Sequence, residues 1–107
     1  MAGTRRIIID TDPGQDDAVA ILLALASPEL EVAGITAVAG NVPLSLTEKN
    51  ALKICELAGK MRTKVYSGAV RPLVRPLVTA EHVHGKTGLD GPDLPEPKMK
   101  LQELHAV

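Results

Sequence analysis

Aromatic side chains are almost missing from this 107-residue chain: it has no Trp and no Phe, and Tyr66 is the single Tyr. A core must then be built from Ile, Leu, Val and Ala, which suits a buried parallel α/β layer whose strands are aliphatic runs. Cysteine is equally scarce. Cys55 has no second cysteine to pair with, and its place in an apolar helical pattern fits a buried, inert thiol in a reducing compartment. Basic charge is scattered and the formal net charge is -1, so the electrostatic footprint of a nucleic-acid binder is missing. The longest apolar run, Ala18 to Ala26, has nine residues, whereas a membrane-spanning helix needs about 20. Three isoleucines after Arg5-Arg6 fall far short of a signal-peptide apolar region. No nucleic-acid partner, no membrane partner and a cytoplasmic address are therefore expected.

What is present is a globular composition, 45% hydrophobic and 23% charged, in a length suited to one domain. Arg6 to Asp10 reads as a short β-branched strand running into the turn Thr11-Asp12-Pro13-Gly14. Asp16-Asp17 then suits the start of a helix carrying Ala18, Val19, Ile21, Leu22, Leu23 and Leu25, closed by Ser27-Pro28. Val32 to Val38 predicts a second strand, ended by Ala39-Gly40-Asn41-Val42-Pro43. Ser45-Leu46-Thr47-Glu48 has capping-box spacing and predicts a helix with Leu52, Ile54, Cys55 and Leu57 on its apolar face, stopping at Gly59. Lys64 to Ser67 predicts a third strand.

That βαβαβ order implies parallel strands joined by right-handed crossovers, a Rossmann-like α/β sheet with flanking helices whose ligands bind beyond the carboxyl ends of the strands. Residues 68–97 carry five prolines and four glycines and predict a long ordered loop without periodicity. Met99 to Val107 predicts the start of a helix with Leu101, Leu104 and Val107 on one face, without a cap at its end. Three strands also leave edges that further polypeptide or a partner would have to cover.

The densest chemistry lies in Asp10-Thr11-Asp12-Pro13-Gly14-Gln15-Asp16-Asp17, four acids directly after a strand. A solvated acidic turn with favourable helix N-terminal charges accounts for two such acids. Four, flanking a Pro-Gly turn, repel one another unless a cation neutralises them, and hard oxygen donors select Ca²⁺ or Mg²⁺. An EF-hand is excluded, because Gly14 stands at the fifth position from Asp10 and Ile21 replaces the bidentate Glu. Neither Walker nor dinucleotide glycine spacing occurs. A haloacid-dehalogenase-type, metal-dependent phosphatase also places Asp-x-Asp after its first strand. Here, however, Pro13-Gly14 and Asp16-Asp17 replace the small hydroxyl residue expected two places after the second Asp.

Asp10 to Ala18 resembles the N-terminal signature of the inosine-uridine-preferring nucleoside hydrolases. The resemblance continues collinearly through Gly40-Asn41, Pro72-Leu73-Val74, His84-Gly85-Lys86-Thr87-Gly88-Leu89 and His105-Ala106-Val107. It implies that residues 1–107 are the N-terminal portion of a single, larger nucleoside hydrolase domain that cleaves the N-glycosidic bond of ribonucleosides with a calcium-activated water.

By the same resemblance, Asp12 is the general base and a Ca²⁺ ligand, Asp17 a Ca²⁺ ligand, and Asp10 a supporting residue of the metal site. Asp16 and Asn41 are implied to bind ribose hydroxyls, and His84 to lie on the nucleobase side. The resemblance further implies a ribonucleoside as substrate and a homo-oligomer, dimer or tetramer, or else the remaining part of the same fold, as partner. A truncated, non-catalytic chain with a binding role is the alternative expectation. His82 and His105 are read as structural.

Overall fold

The computed structural model describes residues 3–89 and 94–107. Its elements run β1 (Arg5–Thr11), α1 (Gln15–Ala26), β2 (Leu30–Ala37), α2 (Leu44–Leu57), β3 (Val65–Ser67) and α3 (Glu81–His84). The strands form one sheet in the order β1-β2-β3, parallel at both junctions, so the βαβαβ expectation holds. The β-branched runs supply Ile9, Ile35 and Val65 to one face. Against that face pack Ile21 of α1 and Ala51, Leu52, Ile54 and Cys55 of α2.

The burial of these aliphatic side chains is the main stabilising term, on the order of 1.5–3 kcal/mol for each fully buried Ile or Leu. Ile21, Ile35 and Ile54 are essentially inaccessible. The other face of the sheet is different. Ile8 is 69% exposed there, and the described residues beside Ile8, Gly34, Thr36 and Tyr66 come from the short stretch Leu104-His105-Ala106. A Cβ on Gly34 would stand 3.0 Å from the Tyr66 ring, so this glycine lets the ring lie across β2.

Four local expectations need correction. The Ser45–Glu48 capping box is not formed: α2 begins at Leu44 with Pro43 as its cap residue, and the Glu48 carboxylate instead accepts a hydrogen bond from Ser67 Oγ at 2.9 Å. Pro43, with φ −57, already holds the chain at a helical φ. Leu57, expected on the apolar face, is 59% exposed among the described residues, because it borders an open apolar groove beside Leu22, Ile54 and Leu94 rather than the packed core.

The 68–97 stretch contains the short helix α3. The terminal segment is not helical at all: the Gln102 and Ala106 N–H groups donate to Val65 O and Ser67 O, so it lies along the outer edge of β3. A nine-residue helix is marginal without packing, and the unpaired carbonyls of an edge strand offer a better partner.

Candidate active site at the strand ends

The carboxyl ends of the three strands converge through backbone bonds that continue past the sheet: Val38 N–H to Thr11 O, Gly68 N–H to Ala37 O and Ala39 N–H to Ala69 O. Asp12 follows β1 directly. Its Oδ2 accepts the Asn41 backbone N–H at 2.9 Å, and Asn41 Nδ2 donates to the Asp12 carbonyl at 2.8 Å. Two bonds, both donated by Asn41, thus fix Asp12 against the turn after β2. A Cβ on Gly40 would fall 2.0 Å from Asp12 Oδ2, so this close approach requires glycine at position 40.

Pro13 and Gly14 are buried, and α1 starts immediately after them. Its first bond runs from Ala18 N–H to Gly14 O. Asp16 and Asp17 sit in the first turn, where negative charge complements the helix dipole. Asp17 Oδ2 makes a long contact, 3.5 Å, with Gly14 N–H. Its carboxyl is nevertheless pushed above the usual aspartate range, first by burial and then by the neighbouring charges of Asp16 and Asp12. Thr11 Oγ1 is buried without a hydrogen-bond partner among the described residues, close enough to Asp17 to favour its charged form slightly but outside bonding geometry.

Asp10 lies one strand position earlier and is exposed on the open face, where Oδ1 accepts from Thr36 Oγ1 at 2.6 Å. The expected residues therefore separate. Asp12 and Asn41 are directly bonded, Asp16 and Asp17 adjoin them at the helix start, and Asp10 is turned toward Thr36. His84 ends α3, and its side chain lies outside the described residues. His105 Nε2 lies 3.1 Å from Gly68 O while Nδ1 accepts from Val107 N–H, in keeping with the structural reading.

The donor chemistry suits a hard divalent cation. Asp12 and Asp17 supply carboxylate oxygens, their mutual repulsion is what a cation relieves, and Thr11 adds an unsatisfied buried hydroxyl. The set is partial, however. Among the described residues no group of three or more His, Cys, Asp or Glu side chains is placed to hold a metal ion.

Several site residues escaped the sequence reading. Thr36 matters only through Asp10, which is far away in sequence; Gly40 was read beside Asn41, but its close approach to Asp12 was not. Asn50 is 1% exposed inside α2. The available signal was its position: with Thr47 and Ile54 it falls on the face that the apolar pattern assigns to the core.

A family model described as inosine-uridine preferring nucleoside hydrolase matches residues 7–107. An uncharacterized protein of Schizosaccharomyces pombe is 57% identical over 102 residues, 95% of this chain and 33% of that protein. The pyrimidine-specific ribonucleoside hydrolase RihA of Photobacterium profundum is 53% identical over 104 residues, 97% of this chain and 34% of that one. Among solved structures, a purine-preferring ribonucleoside hydrolase from Gardnerella vaginalis superposes with a TM-score of 0.88 at 34% identity, covering 95% of this chain and 34% of that one. The chain thus spans about a third of the length of these relatives.

Proposed function

The chain belongs to the inosine-uridine preferring nucleoside hydrolase family, and on that premise we propose that its strand-end site serves hydrolysis of the N-glycosidic bond of ribonucleosides, releasing ribose and a free base. The observation that carries this reading is the clamp on Asp12. A general base must be held in one orientation toward its water. Asn41 N–H holds Oδ2 while the absent Cβ of Gly40 makes room for the carboxylate, and Oδ1 remains to take the proton.

Cleavage at an anomeric carbon passes through an oxocarbenium-like state, which surrounding anionic groups stabilise as it develops. Asp16 at the helix start and the Asn41 amide, with its acceptor oxygen and second N–H, would hold ribose hydroxyls. His84 would stand toward the base. Asp12 and Asp17, with Asp10 in support, would hold Ca²⁺. When bound, such an ion acidifies a water and orients the sugar.

The named relatives differ in base, one pyrimidine-specific and one purine-preferring, so the shared chemistry is at the ribose. A homo-oligomer in the cytoplasm completes the proposal. Cys55 is a buried free thiol, which suits a reducing compartment, and no helix among the described residues is long and apolar enough to cross a membrane.

The partial donor set favours a second reading, in which the 107-residue chain alone binds cation and ribose without turning substrate over. The test is ribose release from inosine, uridine, adenosine and cytidine, with and without Ca²⁺, beside Asp12→Asn. Calcium-dependent release that falls about 10²- to 10⁴-fold in the variant is expected for the hydrolase. Ribose binding without release supports the second reading. Phosphate release from a phosphorylated sugar, with no ribose release from nucleosides, overturns both in favour of a phosphatase.

A further inference from the structure

Asn50 projects from the buried face of α2 and bonds two loops at once. Its Nδ2 donates to Pro13 O at 3.1 Å and to Thr87 O at 2.7 Å, partners 37 residues away on either side in sequence. Gly88 closes the junction. At φ +87 it has no room for a side chain, since a Cβ would meet Asn50 Nδ2 at 2.9 Å and Pro13 O at 3.2 Å. The second loop is also tied at its other end, where Ala80 N–H donates to Asn41 O at 2.7 Å.

Successive carbonyls of the carboxylate loop, Asp12 O and Pro13 O, therefore each accept from an asparagine amide, Asn41 and Asn50 respectively. Leaving a buried donor of this kind unmade is costly, so the amide fixes the separation of the two loops it joins.

We propose that Asn50 is a positioning residue that locks the Asp12–Gly14 turn to the Gly85–Leu89 loop, so that Asp12 and the loop following α3 share one fixed geometry. Asn50 touches no substrate in this role; it acts through Pro13 and Thr87. Its value for catalysis rests on the proposed function, whereas the clamp itself rests on the hydrogen bonds.

The test is amide hydrogen exchange by NMR on the ¹⁵N-labelled 107-residue chain as wild type, Asn50→Leu, Gly88→Ala and the double variant. In the wild type the two Asn50 side-chain protons are expected at separate, slowly exchanging resonances. Asn50→Leu, which keeps the branching at Cγ but removes the donors, is expected to speed exchange at Gly14–Ala18 and Gly88–Leu89 by about tenfold or more while β2 and the rest of α2 keep their protection.

Gly88→Ala, approaching from the other loop, is expected to disturb the same Gly14–Ala18 amides, with the double variant adding little. It also serves if Asn50→Leu does not fold. Rapidly exchanging Asn50 side-chain protons in the wild type, an even loss of protection across the sheet, or disturbance confined to each substitution's own loop would each overturn the clamp. Retained turnover in Asp12→Asn would instead overturn the functional reading and leave the exchange pattern unchanged, so the two can fail separately.

Discussion

Two irregular stretches of this molecule, residues 12–14 and residues 70–78, are both punctuated by proline yet behave as opposites. In the first, Pro13 and Gly14 are buried, Asp12 is held by two bonds to Asn41, and Pro13 O accepts from Asn50. In the second, Leu73 and Val74 are as accessible as in an extended chain, at 102% and 94%, and Val78 is 80% exposed. Irregular backbone becomes fixed where neighbouring elements need its carbonyls and where small residues let them approach. Apolar side chains alone do not fix it. The polar contacts around Asp12 are therefore made within this chain, while apolar surface on α1, on the open sheet face and along 70–78 is uncovered among the described residues.

The sharpest way to break that comparison is Gly40→Ala. Its Cβ has no place beside Asp12 Oδ2, and forcing it in is expected to destabilise the chain by about 3 kcal/mol, read as a lowered denaturant midpoint. A tolerated alanine with wild-type stability would show that Asp12 does not need the approach the geometry describes.

Thiol chemistry gives the next largest contrast. Burial pushes the Cys55 thiol up to about 11, partly offset by a bond from Thr63, so its thiolate at pH 8 is roughly a hundredfold scarcer than that of an ordinary cysteine. Iodoacetamide at pH 8 is expected to spare Cys55 and to modify an added Val74→Cys readily. The sign for stability follows. Between pH 9 and about 11 the folded chain keeps a proton that the unfolded chain has released, so stability falls as pH rises through that window.

A smaller effect concerns the cation. Asp17 is raised by burial, Asp16 and Asp12. Above its ordinary value the folded chain therefore binds more protons than the unfolded one, and stability declines as pH rises through the folded pKa. A cation relieves that cost. At neutral pH, Ca²⁺ at some tenfold above Kd is expected to stabilise the chain by about 1.4 kcal/mol. The gain should shrink as pH falls through the Asp17 titration and vanish in Asp17→Asn. An equal gain in Asp17→Asn would move the ion elsewhere. The smallest effect belongs to the exposed stretch: Leu73→Ser and Val74→Ser are expected to change stability by no more than about 0.5 kcal/mol.

Much of this was legible in the residues. The strand periods of Arg6–Asp10 and Val32–Val38 and the apolar stripe through Ile21, Ile54 and Cys55 fixed the layer order, because aliphatic burial dominates there. The acids were legible as chemistry from Asp12, Asp16 and Asp17 alone. Their supports were not: Thr36 and Asn50 act through bonds spanning 26 and 37 residues, and Gly40 through its close approach to Asp12, which no local pattern encodes. The terminal stretch misled for the converse reason. Leu101, Leu104 and Val107 keep a helical spacing, but the edge of β3 captures the Gln102 and Ala106 amides first.

The most direct test of the account is an NMR titration of the ¹⁵N-labelled chain with ribose in the presence of Ca²⁺. The strand-end site predicts shifts concentrated at Asp12–Asp17, Gly40 and Asn41, with residues 70–78 silent, and their loss in Asp12→Asn. Shifts confined to 70–78 or to the open sheet face, or a response unaffected by Asp12→Asn, would contradict it.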